Sequence, residues 1–369
     1  MKAVDIVVPC YNYARFLRGC VETALAQQGV DVRVLIIDDC SPDTTREVGE
    51  ALAAEDPRVT FRRHEVNQGF FKTINEGIFG WASADYCLLL SADDALAPDA
   101  LVRATALMEA HPNVGLTYGL GVILRDEARP EGAPRTAAPE SAIIPGKRFL
   151  EHCCEFGNPV PTPTAILRTR LQHELGPYDP ELPHTSDYEM WMRCALRSDI
   201  GFVNAVLGYY RLHGSNMSDH FKADPSRDLR ECMRAVSKIA SVYASEVDHP
   251  ERLLDISRRR CATAALHEAH RRFEAGDADG SNHFVAFAAE NGYPLSKSPT
   301  GRTLRAKRVM GRGGYRLARP VIEFLRGNPG HPAELSPAPE GETHIVIGHW
   351  PESVGWTAGA GAAQPAKVQ

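Results

Sequence analysis

Long hydrophobic runs are missing from this chain of 369 residues. No stretch approaches the roughly 18 apolar residues that a membrane-spanning helix needs, and the first residues enter a strand pattern without the apolar core of a secretion signal. We therefore expect a cytoplasmic protein that does not itself cross a membrane. An excess of basic residues is missing too, since the formal net charge is −6, so nucleic acid is not an expected partner.

The cysteines lack the spacing of a disulfide framework or of a metal site. There are nine, an odd number, and the adjacent pair Cys153 and Cys154 has no matching Cys or His pair. Reduced thiols are therefore expected. Internal repeats are also absent, and the length suffices for one large domain with an extension or for two domains.

Strand and helix patterns alternate through the first 120 residues. Continuous or alternating apolar runs predict strands, and apolar residues at helical spacing predict helices between them. The predicted strands are 4–9, 32–37, 58–63 and 85–90, and the predicted helices are 13–28, 44–54 and 70–82. The pattern favours an α/β fold with a mostly parallel, doubly wound sheet and helices on both faces.

Two of these predicted strands end at paired carboxylates. Asp38 and Asp39 follow 32–37, and Asp93 and Asp94 follow 85–90. The carboxyl ends of parallel strands meet at one sheet edge, where ligands bind, and carboxylate oxygens suit Mg²⁺ or Mn²⁺. Alternatively, each pair begins a loop and caps a helix, such as one that starts at Ser41 and Pro42.

The rest of the chain is less regular up to about residue 222 and helical beyond it. A Pro-rich stretch at 126–145 predicts a loop, three prolines interrupt 158–164, and strands are predicted from 165 and over 206–212. Helices are predicted over 225–245, 250–274 and 281–291. The domains predicted are 1–221, a helical extension at 222–296, a basic helical segment at 297–327 and a mostly disordered tail at 328–369.

Six short motifs occur in order between residues 4 and 220. The chain resembles family 2 glycosyltransferases in all of them, and each is weak alone but the ordered set is strong. They are Val8-Pro9-Cys10-Tyr11-Asn12, Ile36 to Asp43, Asn67-Gln68-Gly69, Leu90 to Asp94, Ser186 to Glu189 with Trp191 and Arg193, and Tyr210 to His213 with Ser215 and Ser218.

That resemblance implies the fold called GT-A and an inverting transfer. The donor would be a nucleoside-diphosphate sugar, linked to UDP or to GDP or TDP. The acceptor would be a hydroxyl of a saccharide or a lipid-linked saccharide, in the synthesis of a cell-surface polysaccharide. A divalent cation, Mn or Mg, would stabilise the departing diphosphate.

The resemblance also assigns a metal ligand, with one departure. The family's metal motif is Asp-any-Asp, and here Ser91 replaces the first Asp and Ala92 follows it. The metal contact would therefore be Asp93, while Ser91 could offer a hydroxyl to the ribose or to a metal-bound water. Asp94 would assist or cap, and His213 would approach the metal or the diphosphate unless it is a structural histidine.

Other residues are assigned to the donor. The resemblance gives the nucleoside end to Asp38 and Asp39, whose oxygens can accept hydrogen bonds from base and ribose. Each remaining candidate has an alternative role, as a turn residue, as a solvated surface residue or, for Arg211, in an ion pair with a carboxylate of the site. They are Pro9, Tyr11 and Asn12 beside the base, Asn67 and Gly69 where backbone can approach the ligand closely, and Lys72 and Arg211 for phosphate.

Asp187 is the predicted catalytic base. An inverting transfer needs a carboxylate that takes the proton of the acceptor hydroxyl, and a helix starting near Ser186 would place Asp187 in its first turn, where the dipole favours the charged form. Alternatively, Asp187 is only a favourable first-turn acid. Glu189 should face away, and His184 has no pattern that separates it from an ordinary loop histidine.

The basic segment has two interpretations. Residues 297–326 contain nine Lys or Arg and one acid, Glu323. They form either a solvated helical face or a surface attracted to anionic lipid, which would put the protein at the inner face of the membrane as a peripheral protein.

Two rival functions remain open at this stage. A sugar-phosphate nucleotidyltransferase would use the same sheet edge, but the Gly-rich basic loop such enzymes carry is missing from 9–18. A non-catalytic sugar-nucleotide binding subunit is favoured by Ser91 in place of the usual acid.

Overall fold

The computed structural model describes residues 1–126, 141–216, 224–325, 345–348 and 350. The chain divides into two compact units, Met1–Asp219 with His344–Gln369, and His220–Thr343. Most of the predicted disordered tail lies outside the described residues, as does 127–140 of the predicted loop. Within the described parts of the chain, no helix combines the length and apolar character needed to span a bilayer.

The first unit contains a mixed sheet and seven helices among its described residues. Its strands are β1 Lys2–Cys10, β2 Val30–Asp38, β3 Val59–Arg63, β4 Tyr86–Leu89, β5 Ala95–Leu96, β6 Val114–Arg125, β7 Ser141–Ile144, β8 Ile166–Arg168, β9 Asp199–Leu212 and β10 Ile345–Ile347. Its helices are α1 Ala14–Leu25, α2 Thr45–Glu55, α3 Phe70–Gly80, α4 Ala100–Ala110, α5 Gly146–Phe156, α6 Thr169–Leu175 and α7 Ser186–Arg197.

The sheet has the order β3-β2-β1-β4-β8-β6-β9-β5, with β10 beside β6 and β7 beside β9. The strands β3, β2, β1 and β4 are parallel, as are β6 and β9. The antiparallel β8 joins these two parallel groups. The predicted α/β architecture is therefore confirmed.

The continuous apolar runs form the core because both faces of these strands are covered. Every residue of β1 from Val4 to Cys10 is buried, and α1 packs on it through Leu17 and Val21, which are also buried.

One charge lies inside this core and is fully compensated. Asp5 in β1 is paired in register with Arg33 in β2, whose Nε and Nη2 donate to it at 2.8 and 2.7 Å. The backbone N–H groups of Ser83 and Ala84 also donate to Asp5 Oδ2. A buried carboxylate is tolerated only with such donors. Asp5 therefore links β1 to β2 and to the segment before β4.

Three expectations were wrong in detail. The helix after β2 begins at Thr45, so Ser41 is not its cap, and the hydroxyl of Ser41 instead accepts the N–H of Asn12. The end of the predicted loop forms β7, and β9 begins at Asp199 rather than at 206. Gly201 and Asn204 interrupt the apolar pattern of that strand, which hid its first half.

The second unit is helical, as predicted. Its helices are α8 Pro225–Val242, α9 Pro250–Ala275, α10 Ala278–Glu290 and α11 Pro299–Leu325, the last broken at Gly311. The basic segment is part of this unit rather than a separate one: Leu304 of α11 is buried in the core formed with α8, α9 and α10, and Lys307 pairs with Glu274.

Two glycines of α3 provide a test of the packing between helix and sheet. A Cβ at Gly77 would lie 2.3 Å from Cγ1 of the buried Val7, whereas a Cβ at Gly80 would meet nothing within 4 Å. We expect Gly77→Ala to lower the free energy of unfolding by about 1–3 kcal/mol, measured by urea denaturation. Gly80→Ala is the matched control and should be neutral or stabilising; equal effects of the two would contradict this packing.

Candidate active site

A cavity of about 730 Å³ opens at the carboxyl ends of β1, β2 and β4. Its volume lies in the range of small-molecule and cofactor sites. The structure brings together most of the predicted site residues along its wall. These are Pro9, Tyr11, Asn12, Asp39, Asn67, Gly69, Ser91, Ala92, Asp93, Asp94 and Asp187.

Strand register puts the first two carboxylate segments at one edge. In the parallel ladder, Cys10 lies opposite Asp38, and Val7 lies opposite Leu89. The strands therefore end together, so the residues that follow each of them, Asp39 and Asp93 included, face the same space. The side chain of Tyr11 is 49% exposed at this rim, and its ring is available to a ligand.

Asp39 is held by donors from three positions. Its Oδ1 accepts the N–H of Gln68 at 2.7 Å and Nδ1 of His64 at 2.7 Å, and its Oδ2 accepts the N–H of Gly69 at 2.8 Å. Burial alone would raise the pKa of Asp39. The hydrogen bonds lower it by more than burial raises it, so the pKa lies below the usual value. The anionic form of Asp39 is therefore favoured, and its Oδ2 keeps acceptor capacity.

His64 connects Asp39 to a second carboxylate. Its Nε2 lies 3.0 Å from Oε2 of Glu76. Both ring nitrogens face acceptors, so the ring satisfies both only as imidazolium. Burial lowers the pKa of His64, but the hydrogen bonds to Asp39 and Glu76 outweigh it and raise the pKa above its usual value.

Asp93 lies beside two side chains from the end of β9. Nε2 of His213 is 3.0 Å and Nδ2 of Asn216 is 3.4 Å from its Oδ2. Burial raises the pKa of Asp93, although the hydrogen bond with His213 opposes this. One carboxylate and one imidazole fit a divalent cation that takes its other ligands from phosphate and water. Among the residues described, no group of three or more His, Cys, Asp or Glu forms a complete cage.

The tautomer of His213 decides how it takes part. The N–H of Ser215 points at Nδ1 from 3.2 Å, which leaves the proton on Nε2 and makes His213 a donor to Asp93. The hydroxyl of Ser215 is 3.0 Å from the same Nδ1. In the other tautomer Nδ1–H donates a hydrogen bond to that hydroxyl, the N–H of Ser215 loses its acceptor, and Nε2 has a lone pair that can bind a metal.

Asp94 has a structural contact. Its Oδ1 accepts the N–H of Arg211 at 2.9 Å, which ties the segment after β4 to β9. Burial, and then the charge of Asp93, raise the pKa of Asp94 well above its usual value. Its assignment as a metal ligand stays a prediction.

Asp187 comes from the other side of the cavity, in the first turn of α7 as predicted. Its Oδ2 accepts Nδ2 of Asn158 at 3.0 Å and Oγ1 of Thr162 at 3.1 Å, and its Oδ1 accepts the N–H of Tyr188 at 2.6 Å. Burial raises its pKa above the usual value although these donors lower it. The rival Glu189 is buried and paired with Arg193, away from the cavity wall.

Four assigned residues do not line the cavity, namely Asp38, Arg211, His213 and Lys72. Asp38 is fully buried, pairs with Arg63 and accepts the N–H of Ser41, so its assignment to the nucleoside is corrected to a structural role. The guanidinium of Arg211 donates to the carbonyls of Asp93 and Asp126 and covers the ring of Phe16, so it is not a phosphate ligand here.

His213 is the third such residue, and it reaches the site through its contact with Asp93. Lys72 is the fourth. It is exposed on α3 and does not line the cavity. The alternative of a surface lysine therefore describes it better than contact with phosphate.

Sequence reasoning missed several residues of the wall. The sequence does not separate His184 from an ordinary loop histidine, and the three prolines of 158–164 give no sign of the contacts that this segment makes with Asp187. No periodic signal marks Ile347, because it comes from β10 at the far end of the chain. The missed residues include Tyr13, Phe70, Thr73, Val160, Thr162, Tyr178, His184, Tyr210, Ser215, Asn216 and Ile347.

Comparison with known sequences gives a family for the N-terminal part. Residues 5–170 match the family model described as Glycosyl transferase family 2. An uncharacterized glycosyltransferase of Nostoc sp. is 26% identical over 241 residues, which cover 62% of this chain and 70% of that protein. One of Rickettsia bellii is 28% identical over 228 residues, covering 60% of this chain but 31% of that protein.

Comparison with solved structures shows the fold. A fragment of S. aureus TarS in complex with UDP-GlcNAc has a TM-score of 0.57 at 16% identity, covering 89% of this chain and 93% of that one. The mannosyltransferase PcManGT from Pyrobaculum calidifontis, in complex with GDP-Man and Mn²⁺, has a TM-score of 0.53 at 16% identity, covering 85% of this chain and 80% of that one. The predicted GT-A fold with a helical C-terminal extension is confirmed.

His64 provides a pH-dependent test of this site. A histidine whose pKa is raised by folding stabilises the folded protein fully at pH values below its pKa in the unfolded chain, about 6.5. That contribution is lost as the pH rises through its pKa in the folded protein. We expect His64→Gln to reduce the free energy of unfolding more at pH 6 than at pH 9, measured by urea denaturation. The exposed His111→Gln is the control; a loss for His64→Gln that is the same at both pH values would contradict the imidazolium assignment.

Proposed function

We propose that this chain, which belongs to glycosyl transferase family 2 through its residues 5–170, is an inverting and metal-dependent glycosyltransferase. The donor is a nucleoside-diphosphate sugar, and the acceptor is a hydroxyl of a saccharide or a lipid-linked saccharide in cell-surface polysaccharide synthesis. The family supports glycosyl transfer from a nucleotide sugar. To this we add the inverting stereochemistry, the metal dependence, the acceptor and the pathway.

The convergence of three carboxylates in one cavity carries the proposal. Asp39, Asp93 and Asp187 come from separate segments of the chain and line the same cavity. Their environments differ, because the donors around Asp39 hold its pKa low while burial raises the pKa of Asp187. Carboxylates whose pKa values are pushed apart serve different roles.

The nucleoside belongs at the Asp39 side. An ionised carboxylate with a free acceptor position suits an N–H of a base or a ribose hydroxyl, and the exposed ring of Tyr11 can lie against the base. Gly69, at a φ of 86°, lets the backbone approach the ligand without a Cβ in the way. UDP-GlcNAc and GDP-Man in the two structural neighbours support UDP or GDP as the nucleotide.

The diphosphate belongs at Asp93 and His213. A divalent cation held there would offset the negative charge that develops on the departing nucleoside diphosphate. The Mn²⁺ in the mannosyltransferase neighbour supports this assignment. Ser91 lines the same wall and can offer its hydroxyl to the ribose.

Asp187 acts as the base. The acceptor oxygen forms a bond to the anomeric carbon from the face opposite the diphosphate, its proton passes to Asp187, and the broken bond's electron pair leaves with the nucleoside diphosphate. The raised pKa of Asp187 favours proton uptake, since a base whose pKa lies nearer the working pH accepts a proton more readily. In-line attack inverts the anomeric centre.

Two variants separate binding from chemistry. Asp187→Asn keeps the size of the side chain but removes the base, so we expect transfer to fall by about 10²–10⁴-fold while UDP or GDP with Mn²⁺ still raises the melting temperature. Asp93→Ala should lose the part of this thermal shift that depends on Mn²⁺. The measurements are release of nucleoside diphosphate and a thermal-shift screen of nucleoside diphosphates with and without Mn²⁺.

The outcomes distinguish the rivals. Turnover of Asp187→Asn at the wild-type rate would refute the base. Release of pyrophosphate from a nucleoside triphosphate would favour nucleotidyl transfer instead, and tight donor binding by the wild type without hydrolysis or transfer would favour a non-catalytic subunit.

The surface of α11 supports contact with anionic lipid, which would keep the protein at the inner face of the membrane beside a lipid-linked acceptor. Val309 and Leu317 are 84% and 85% exposed, and the neighbouring Arg302, Arg305 and Arg312 are exposed as well. Exposed apolar side chains among cations suit an interfacial helix. Each exposed cation adds about 1 kcal/mol of attraction near an anionic surface.

Vesicle flotation tests this contact. We expect the chain to float with vesicles that contain phosphatidylglycerol and not with phosphatidylcholine alone, and the double variant Val309→Glu/Leu317→Glu to lose flotation. Val242→Glu is the matched control, because Val242 is 63% exposed on α8 outside the basic helix. Equal flotation of the wild type and the double variant would remove the proposal.

A further inference from the structure

We propose that Thr162 and Asn158 are positioning residues for the catalytic base, which together hold one carboxylate oxygen of Asp187 and leave the other to receive the acceptor's proton. This inference rests on the proposed function and deepens it. Neither residue belongs to α7, so the base and the groups that orient it come from different parts of the chain.

The two donors meet on a single oxygen. Oδ2 of Asp187 accepts the amide of Asn158 at 3.0 Å and the hydroxyl of Thr162 at 3.1 Å. A carboxylate oxygen has about two acceptor positions, so these contacts saturate Oδ2. Oδ1 accepts only the N–H of Tyr188 among the described residues and keeps a position open. The proton of the acceptor hydroxyl is therefore taken by Oδ1.

The direction of each donor is set by its own segment. Oδ1 of Asn158 accepts the N–H of Val160 at 3.1 Å, which turns the amide nitrogen toward Asp187. Thr162 begins a short 3-10 turn, Thr162–Thr164. Pro161 before this residue and Pro163 after it have a fixed φ. The hydroxyl of Thr164 is 2.8 Å from the carbonyl of Pro161 and 3.3 Å from that of Gly119 in β6.

This anchoring gives the segment a purpose beyond a connection. A hydroxyl and an amide on a loop restrained by prolines and held to β6 cannot follow a rotating carboxylate. Asp187 is therefore fixed in one rotamer before the acceptor arrives, and misplacement of a reacting group by about 1 Å costs up to about 10²-fold in rate.

Other titratable groups face Asp187 from the neighbouring segments. His184 lines the same cavity, and its charge lowers the pKa of Asp187, while the buried Tyr178 has its own pKa raised first by burial and further by Asp187 among other groups. The hydrogen bonds from Thr162 and Asn158 lower the pKa of Asp187 as well. Removal of either donor must raise it.

The test is the pH profile of turnover for Thr162→Val. The assay follows nucleoside diphosphate released with Mn²⁺ from whichever of UDP-GlcNAc and GDP-mannose the wild type turns over, with water or methyl glycosides as acceptors. We expect the acid limb of the profile to move up by about 0.5–1 pH unit, and kcat at neutral pH to fall about 10-fold. Affinity for UDP or GDP, measured by calorimetry, should not change.

Matched variants exclude a merely structural effect. Thr162→Ser keeps the hydroxyl and should restore the wild-type profile, and Asn158→Ala should move the acid limb in the same direction as Thr162→Val. Thr105→Val removes a buried hydroxyl that donates to the carbonyl of Leu101 in α4, and it should leave the profile unchanged. In the background of His184→Gln, the shift caused by Thr162→Val should persist.

Each contrary result overturns a definite statement. An acid limb and kcat of wild-type value in Thr162→Val, no rescue by serine, or loss of the shift in the His184→Gln background would each refute the positioning role. If Asp187→Asn is inactive in the same assay, the proposed function survives that refutation. If Asp187→Asn turns over like the wild type, the base assignment and this inference fail together.

Discussion

Negative charge in a confined space is the constraint on which this site depends. Four carboxylates line a single cavity, those of Asp39, Asp93, Asp94 and Asp187, and carboxylates in low dielectric are costly unless donors compensate them. Each is compensated differently: Asp39 by backbone amides and an imidazolium, Asp93 by the ring of His213, Asp94 by a backbone N–H of β9, and Asp187 by a hydroxyl and an amide. The loops around the cavity position several of these donors.

The sheet explains why the donors can be delivered. Parallel strands end at one edge, so the segments after β1, β2 and β4 face each other without any long connection. The donors to Asp39 come from the next strand and loop, with His64 following β3 directly. Those to Asp93 and Asp94 come from the end of β9, which the antiparallel β5 ties to the segment after β4.

The sequence was sufficient for the elements and for the carboxylates, because both are local signals. Apolar periodicity predicted β1 to β4 and the helices between them, and each Asp stands at or shortly after the end of a strand or in a first helical turn. It was not sufficient for the partners. Arg211 and Asp38 are charged residues inside matching motifs. Arg211 donates to backbone carbonyls, and Asp38 pairs with Arg63 and accepts a backbone N–H. Only the fold decides these partners.

The partners missed by the sequence share a physical reason. Asn158 and Thr162 are neutral, lie in an irregular segment, and act on a residue 29 and 25 positions away. Such contacts leave no periodic trace. Ile347 is more remote still, since β10 pairs with β6 across more than two hundred residues of chain. A motif can indicate where a ligand binds, whereas the groups that orient it are visible only in three dimensions.

The differing environments of the carboxylates give the cavity its direction. Asp39, with its pKa lowered by the donors around it, remains an anion and can only accept hydrogen bonds. Asp187 has its pKa raised by burial, and in the proposed mechanism it takes up the proton of the acceptor hydroxyl. In the proposed function the nucleoside binds Asp39 and the diphosphate binds Asp93, which directs the sugar of the donor toward Asp187. The proposed direction of transfer thus follows from the different environments of these carboxylates.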